Sequence, residues 1–219
     1  MKSVMPNPPR PGRLKAGSVF VLLAVALATT ACDQIQALVA PPTPTAVPRG
    51  IFIDPPQLMP DFTLTNQDGQ PTKLSDLTRD KAVMIFFGYT HCPDVCPLSM
   101  GDFKAYKKAL GDAAEDVRFV MVSIDGERDT PEVMKRYVTA FDPEFIGLTG
   151  SENEVRQIGL RYGVHFQKEK PQGTQAAYLV SHTSYSYLVD KDGRWRVVFP
   201  FRAGAKVVAE DIRTVLAEE

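Results

Sequence analysis

One stretch of the chain, residues 84–97, constrains the fold more than any other. It reads Met-Ile-Phe-Phe-Gly-Tyr-Thr-His-Cys-Pro-Asp-Val-Cys-Pro. An apolar segment ends at a glycine, a short polar turn follows, and Cys92 and Cys96 stand four positions apart where a helix is expected to begin. Residues four apart on a helix share one face, with their Cβ atoms about 5–6 Å apart. The two thiols can therefore bridge to each other or hold one soft metal ion between them.

The surroundings expected for Cys92 and Cys96 favour a reactive or metal-binding role over a role in core packing. A helix N-terminus and nearby cations lower the pKa of a thiol, and the thiolate is the form that reacts or binds metal. The chain contains three cysteines, which is too few for a disulfide scaffold. Inert core packing is therefore the weaker interpretation of the pair, and the isolated Cys32 needs a separate explanation.

Length and charge bound the class of protein. The 219 residues allow one domain of about 150–170 residues and a leader. The net charge is −1, from 25 basic and 26 acidic residues. Residues 1–31 hold four of the basic residues and no acidic one, so the remaining 21 basic and 26 acidic residues give a net charge of −5. This balance, without a basic stripe, argues against a nucleic-acid partner.

The N-terminal residues 1–31 resemble a bacterial export signal or membrane-anchor segment. Basic residues precede a short apolar segment, and small residues follow it. Residues 28–32, Ala-Thr-Thr-Ala-Cys, are similar to a lipoprotein signal, which predicts lipidation of Cys32, although Thr29 stands where such signals prefer Leu. Ordinary cleavage and an uncleaved helical anchor are the alternatives. All three outcomes place the domain outside the cytoplasm, where disulfides can form.

Residues 32–50 are predicted to be a linker, because their proline-rich part cannot build a regular element and forms a semi-rigid spacer. The hydrophobic pattern of residues 51–219 predicts a single domain. Within it, an Asp-Gly turn in residues 60–74 predicts a β-hairpin. Further predicted strands are 82–87, 118–124, 183–189 and 195–199, and predicted helices are 99–110, one that begins at Pro131, 152–162 and 205–216. The polar segment 167–175 is predicted to be an excursion of the chain, a polar stretch between the regular elements.

This order of elements predicts an α/β fold with a central mixed sheet flanked by helices and an N-terminal β-hairpin. A right-handed crossover makes the first two core strands parallel. Cys92 and Cys96 then lie at the carboxyl end of the first core strand, where open α/β sheets usually place their chemistry. The arrangement is similar to the thioredoxin fold.

The three histidines of the chain, His91, His165 and His182, are the candidate nitrogen ligands. Two thiolates favour Cu(I) and also bind zinc, and a nitrogen ligand sharpens the preference. His91 is next to Cys92 in the chain, so its side chain would have to turn back to bind the same metal ion. The sequence around His165 does not resemble a metal site. A lone histidine is more often structural, but His182 precedes the third core strand, a position that faces the cysteine helix in thioredoxin-like folds.

Four segments of the chain closely resemble the Sco/SenC family. They are Gly-Tyr-Thr-His-Cys-Pro-Asp-Val-Cys-Pro at 88–97, Val-Ser-Ile-Asp-Gly-Glu-Arg-Asp-Thr-Pro-Glu at 122–132, Phe-Ile-Gly-Leu-Thr-Gly at 145–150 and Ser-His-Thr at 181–183. The resemblance covers residues 55–218. Members of this family are thioredoxin-fold copper proteins that help deliver copper to the CuA site of cytochrome c oxidase. The resemblance implies that Cys92, Cys96 and His182 are the copper ligands.

The resemblance therefore implies a copper metallochaperone that carries Cu(I), Cu(II) or both at the periplasmic face of the bacterial inner membrane. The implied partners are the CuA-bearing subunit of the oxidase and another periplasmic copper carrier. The alternative is a thiol–disulfide oxidoreductase, in which Cys92 and Cys96 reduce the cysteines of the CuA site. Their spacing, one residue longer than Cys-x-x-Cys, and the presence of His182 favour copper. A peroxiredoxin-like peroxidase is a weaker possibility, because the upstream proline of that motif is missing.

The resemblance also places Asp125 near the metal, where it would orient His182 or another ligand. The alternative for Asp125 is a solvated carboxylate in a loop. The family often has proline where this chain has Gly126, and the glycine is expected to loosen a loop without touching a ligand.

Three further residues near the motifs are given structural roles. Asp129 is predicted to cap the helix that begins at Pro131, with Thr130 as the other candidate. Phe87 and Tyr89 are predicted to pack beneath the site rather than to bind anything.

Overall fold

The computed structural model describes residues 49–170 and 178–218. The predicted export or anchor segment 1–31, Cys32 and most of the predicted linker lie outside these residues. In the described part of the chain, no helix has both the length and the apolar character needed to cross a membrane.

The described residues form ten strands and five α-helices. In chain order they are β1 (Ile51–Leu58), β2 (Thr63–Asn66), β3 (Pro71–Lys73), α1 (Leu74–Thr78), β4 (Ala82–Gly88), α2 (Val95–Leu110), β5 (Val117–Ser123), α3 (Pro131–Phe141), β6 (Ile146–Thr149), α4 (Glu152–Arg161), β7 (Phe166–Glu169), β8 (Leu179–His182), β9 (Ser186–Val189), β10 (Arg194–Phe199) and α5 (Ala205–Ala217). A 3₁₀ helix, Gly111–Asp116, follows α2.

Eight of these strands form one mixed sheet in the order β1-β10-β9-β4-β5-β6-β2-β3. The central strands β4, β5 and β6 are parallel, and antiparallel strands extend the sheet on both sides. Every residue of β4 is buried, which explains its continuous apolar sequence, because a central parallel strand is covered on both faces. The predicted α/β fold with a central mixed sheet and flanking helices is confirmed.

The predicted hairpin is confirmed as β2 and β3, whose turn has a positive φ of 76° at Gly69. It follows β1, a strand that the sequence analysis missed. The strand β6 was also missed. Both strands take part in the sheet through residues distant in the chain, and four residues such as those of β6 are too few to show a clear alternation.

Three predicted boundaries were wrong. The helix predicted from 99 begins at Val95, four residues earlier. The strand predicted at 183–189 is the shorter β9, which begins at Ser186, and the strand β8 before it was not predicted. The segment predicted as an excursion begins as strand β7, and its residues from 171 onward lie outside the described part of the chain. Strands β7 and β8 form a separate antiparallel pair, in which Phe166 stands opposite His182.

Candidate metal centre

The two cysteines occupy the connection between β4 and α2. Cys92 lies in the loop and is half-buried, whereas Cys96 lies in the first turn of α2 and is fully buried. The backbone N–H of Cys96 donates to Cys92 Sγ at 3.4 Å, and neither thiol is in a disulfide. A Cβ atom at Gly88 would stand 3.0 Å from Cys96 Sγ and 2.5 Å from the ring of Phe86. Glycine at the end of β4 therefore lets the Cys96 sulfur lie against the backbone.

His182 is brought to the cysteines by β8. Its Nε2 lies 3.5 Å from Cys96 Sγ. Its Nδ1 lies 2.8 Å from the carbonyl oxygen of Thr183. Because a carbonyl oxygen only accepts hydrogen bonds, Nδ1 carries a proton there, and Nε2 is the ring nitrogen that faces the thiols. The rings of Phe86 and Tyr89, with centroids 5.9 and 6.1 Å from that of His182, hold the imidazole edge-on.

The separation of Cys96 Sγ and His182 Nε2 suits two ligands of one metal ion. Ligand bonds of about 2.3 Å to sulfur and about 2.0 Å to nitrogen place such atoms roughly 3.5 Å apart at a tetrahedral centre. Two thiols and an imidazole are a soft donor set that fits Cu(I). As their atoms stand, no group of three or more His, Cys, Asp or Glu in residues 49–170 and 178–218 encloses a metal position. The structure thus pairs Cys96 with His182 and leaves Cys92 beside them.

The two thiols have opposite protonation tendencies. The pKa of Cys92 lies far below its ordinary value, mainly because the Cys96 thiol donates to it; burial opposes this, and hydrogen bonds from His182 and from backbone N–H groups add to it. The pKa of Cys96 is raised by the same hydrogen bond, by burial and by the charge of Cys92. Cys92 is therefore the thiolate of the pair and Cys96 the thiol.

The loop that carries Cys92 is anchored by Asp129, whose carboxylate is fully buried. It accepts hydrogen bonds from Thr90 N at 3.0 Å, Thr90 Oγ1 at 2.6 Å and Ser123 Oγ at 2.7 Å. The prediction that Asp129 caps α3 is wrong, because Thr130 is the cap and its hydroxyl accepts from Val133 N at 3.4 Å. A buried carboxylate needs several donors, and Asp129 finds them in the cysteine loop and β5 instead.

In the part of the chain that the structure describes, neither of the other two histidines has a hydrogen bond to a thiol. His91 Nδ1 is 3.0 Å from Thr90 Oγ1 and 3.5 Å from Asp129 Oδ1, so His91 contacts the anchor of the loop. His165 is exposed just before β7.

Asp125 is buried rather than a solvated loop carboxylate. Its Oδ2 accepts from Arg128 Nε at 2.5 Å, and its Oδ1 accepts from the hydroxyl of Tyr178 at 2.7 Å. These contacts connect the end of β5 with the start of β8, the strand that ends at His182. Neither Arg128 nor Tyr178 was predicted from the sequence, and for Arg128 the available signal was its place in the motif 122–132.

The two aromatic residues of the motif have different roles. Phe87 is fully buried and packs on Tyr162 and Tyr187, with its ring centroid 5.3 and 5.9 Å from theirs, whereas Phe86 is the phenylalanine that contacts His182. Tyr89 is also buried, but its hydroxyl accepts a hydrogen bond from Val180 N at 3.2 Å. Tyr89 therefore joins the cysteine loop to β8 in addition to packing.

Gly126 has a role that the sequence comparison with the family did not suggest. A Cβ atom at this position would stand 1.8 Å from the carbonyl oxygen of Gly150. The backbone of the loop after β5 therefore approaches the end of β6 so closely that a side chain at this position would force the backbone to shift. The expected loosening of the loop is replaced by a tight backbone contact.

The parallel β4–α2–β5 unit, the antiparallel strands beside it and the cysteine pair at the N-terminus of α2 define a thioredoxin-like fold. The sequence model of the SCO1/SenC family matches residues 53–217. The chain therefore belongs to the SCO1/SenC family.

Similar proteins support this assignment. A SCO2-like protein of Rickettsia prowazekii is 30% identical over 192 residues, which span 88% of this chain and 93% of that protein. The structure of Bradyrhizobium japonicum ScoI with copper bound is 36% identical, has a TM-score of 0.64 and covers 72% of this chain and 99% of its own. The structure of BsSco, a member of the Sco family of cytochrome c oxidase assembly proteins with a disulfide switch, is 25% identical, has a TM-score of 0.60 and covers 75% of this chain and 96% of its own.

Proposed function

We propose that this protein is a copper metallochaperone. Cys92, Cys96 and His182 hold one copper ion, and the protein delivers it to the CuA-bearing subunit of cytochrome c oxidase during assembly. The observation that carries the proposal is the approach of His182 Nε2 to Cys96 Sγ at 3.5 Å, with Cys92 beside them. The copper-bound structure of the Bradyrhizobium relative supports copper as the metal.

The burial of the three residues suits the transfer of a metal ion. Soft thiolates and an imidazole favour Cu(I), and an oxygen ligand from water or a carboxylate would complete a Cu(II) site. Cys92 is half-buried, whereas Cys96 is fully buried. A thiolate of the receiving protein can therefore displace Cys92 first, so that the copper is exchanged ligand by ligand without release into water.

The location of the protein is part of the same proposal. We place it at the periplasmic face of the bacterial inner membrane, held by a lipid on Cys32 or by an uncleaved helix within 1–31. The linker 32–50 would separate the domain from the bilayer. Another periplasmic copper carrier would supply the metal.

A second candidate function, thiol–disulfide oxidoreductase, is favoured by the opposite pKa shifts of the two thiols. Exchange requires an accessible thiolate that attacks and a second thiol that resolves the mixed disulfide. Cys92 suits the first role and Cys96 the second. In this reaction the two thiols become a disulfide, and the disulfide of the target becomes two thiols. The same target cysteines would then be ready to accept copper.

Copper binding by the purified protein, reduced beforehand, tests the proposal. We expect one copper per chain and a sulfur-to-copper charge-transfer absorption for Cu(II) that is lost in Cys92→Ser. We expect His182→Ala to weaken copper binding at least about tenfold. Even the removal of a residue that only hydrogen-bonds to a metal ligand typically weakens metal binding by about that factor. His165→Ala, which changes an exposed histidine, is the matched control. Equal affinity in His182→Ala would remove His182 from the site, and reduction of a protein disulfide without tight copper binding would favour the oxidoreductase.

A further inference from the structure

The strands β7 and β8 are separate from the main sheet, although β8 ends at His182. In the described residues they pair only with each other. The distance from His182 to the cysteines on α2 therefore depends on what fastens this strand pair to the rest of the domain. The contacts at the start of β8 are the most specific of these attachments.

Arg128 lies at the centre of these contacts, and its side chain is 22% exposed. Its guanidinium carbon is 3.7 Å from the ring centroid of Tyr178 and 5.8 Å from that of Tyr89. Its Nη1 also donates to the carbonyl oxygen of Tyr178 at 3.3 Å. A planar guanidinium can stack on aromatic rings and donate in its own plane at the same time. Arg128 thus contacts both the cysteine loop and the start of β8.

Asp125 holds Arg128 and Tyr178 together. Its carboxylate accepts from Arg128 through one oxygen and from the Tyr178 hydroxyl through the other. Its own backbone is fixed, because Asp125 N donates to Ser123 Oγ and its carbonyl oxygen accepts from Arg128 N and Asp129 N. The carboxylate is therefore an immobile acceptor at the end of β5 rather than a flexible loop side chain.

The start of β8 is then connected to His182 over a short distance. Val180, between Tyr178 and His182, donates its N–H to the hydroxyl of Tyr89. The ring of Tyr89 lies against the imidazole of His182. A displacement of Tyr178 would therefore be transmitted along β8 to the ring that faces Cys96.

We propose that Asp125, Arg128 and Tyr178 are positioning residues, a clamp that fixes β8 and so sets His182 at ligand distance from the cysteines. This inference rests on the proposed copper site. The strand β7 has its own attachments, from Arg156 to the carbonyl oxygen and ring of Phe166 and from Lys168 to Glu127 and Glu152. We expect these contacts to keep the strand pair folded when the clamp is removed, so that the effect on His182 can be measured separately.

The test compares Arg128→Ala with Arg118→Ala. Arg118 is a matched control because it is 24% exposed, pairs with Asp80 and donates to the carbonyl oxygen of Leu77, but lies on β5 away from the site. Copper affinity is measured by competition with a chelator. We expect Arg128→Ala to bind copper about 10–100-fold more weakly and Arg118→Ala to bind it as the unchanged protein does. In a His182→Ala background, Arg128→Ala should have no further effect.

Two additional variants separate the clamp from general stability. Tyr178→Phe removes only the hydroxyl that reaches Asp125 and should weaken copper binding in the same direction by a smaller factor. Arg128→Lys keeps the positive charge but loses the planar guanidinium that stacks on the tyrosine rings, so its copper affinity should stay close to that of Arg128→Ala. Equal weakening by Arg128→Ala with and without His182, or full restoration by Arg128→Lys, would overturn the clamp as the device that positions His182.

Hydrogen exchange of the reduced, metal-free protein tests the clamp without copper. We expect the amides of β7 and β8 to exchange faster in Arg128→Ala and those of β4 to be unchanged. If His182→Ala alone leaves copper affinity intact, the proposed copper site fails. Faster exchange in β8 would then still support the clamp as the attachment of that strand. Unchanged exchange in Arg128→Ala would overturn the clamp itself.

Discussion

The sulfur of Cys96 lies 3.5 Å from Nε2 of His182, although the two residues are 86 positions apart in the chain. The contact exists because β8 brings His182 to the N-terminus of α2, where Cys96 occupies the first turn. Phe86, in the strand before the cysteine loop, contacts the imidazole edge-on. The candidate metal centre is therefore formed where a loop, a helix and a separate pair of strands meet.

The opposite pKa shifts of the two thiols predict selective alkylation. Iodoacetamide should modify Cys92 and leave Cys96 unmodified in the reduced, metal-free protein, because only Cys92 is both half-exposed and a thiolate. An ordinary cysteine, with a pKa of about 8.5, loses reactivity about tenfold per pH unit below that value. Since the pKa of Cys92 is far lower, its rate should stay nearly constant from pH 8 to pH 6. Peptide mass spectrometry measures both sites, and a tenfold fall per pH unit at Cys92 would contradict the lowered pKa.

The anchoring of the cysteine loop predicts a cost for Thr90→Val. This change keeps the shape of the side chain and removes its hydroxyl from the buried carboxylate of Asp129. We expect the free energy of unfolding to fall by about 1.5–3 kcal/mol, as for other hydrogen bonds to charged groups. Thr214→Val is the control, since its hydroxyl donates to a carbonyl oxygen on an exposed helix face, and it should stay within about 0.5 kcal/mol. Denaturant unfolding of the reduced protein compares them, and equal effects would argue against the anchor.

Two glycines are predicted to respond to alanine with opposite signs. Gly126→Ala would force a Cβ atom into the carbonyl oxygen of Gly150, and overpacking of this kind destabilises by about 1–3 kcal/mol. Gly101→Ala, in the middle of α2 with open space around the new methyl group, should stabilise by about 0.5–1 kcal/mol. Thermal unfolding measures both variants. An unchanged melting temperature in Gly126→Ala would show that the close approach to Gly150 is relieved at little cost.

The proposed membrane anchor predicts the behaviour of Cys32→Ala. If a lipid on Cys32 holds the protein, this variant should move from the membrane fraction to the soluble periplasmic fraction of cells. Alkaline extraction of the membranes and immunoblotting compare it with the unchanged protein. Persistent attachment of Cys32→Ala would point to an uncleaved helix within 1–31 as the anchor.

Sequence patterns predicted the elements whose causes are local. The strand β4 was recognised because both of its faces are buried, which requires a continuous apolar run. The helix α3 was placed by Pro131, with Thr130 as one of two candidate caps. Strands β6, β7 and β8 were missed or misplaced because each has only four residues and forms its ladder with a partner that no short window contains.

The two acidic residues after β5 show the same limit at the level of side chains. Asp129 is an aspartate just before Pro131, a residue type and position typical of a helix cap. The sequence alone could not show that its carboxylate accepts hydrogen bonds from Thr90 and Ser123 instead. Asp125 has the appearance of a loop residue, yet the hydroxyl of Tyr178, 53 positions later, donates a hydrogen bond to its carboxylate. In both cases the partner comes from another element, so its identity depends on the packing of the sheet.

The sequence by itself determined the strand–loop–helix unit and the spacing of Cys92 and Cys96, because an apolar run and the turn that follows it act within a few residues of the chain. It also left His182, of the three histidines in the sequence, as the candidate nitrogen ligand. Only the tertiary structure decided that His182 faces Cys96 and that Asp125, Arg128 and Tyr178 contact one another at the start of its strand. Those contacts join residues far apart in the chain, and their distances follow from the order of strands and the packing of β8, which no local pattern encodes.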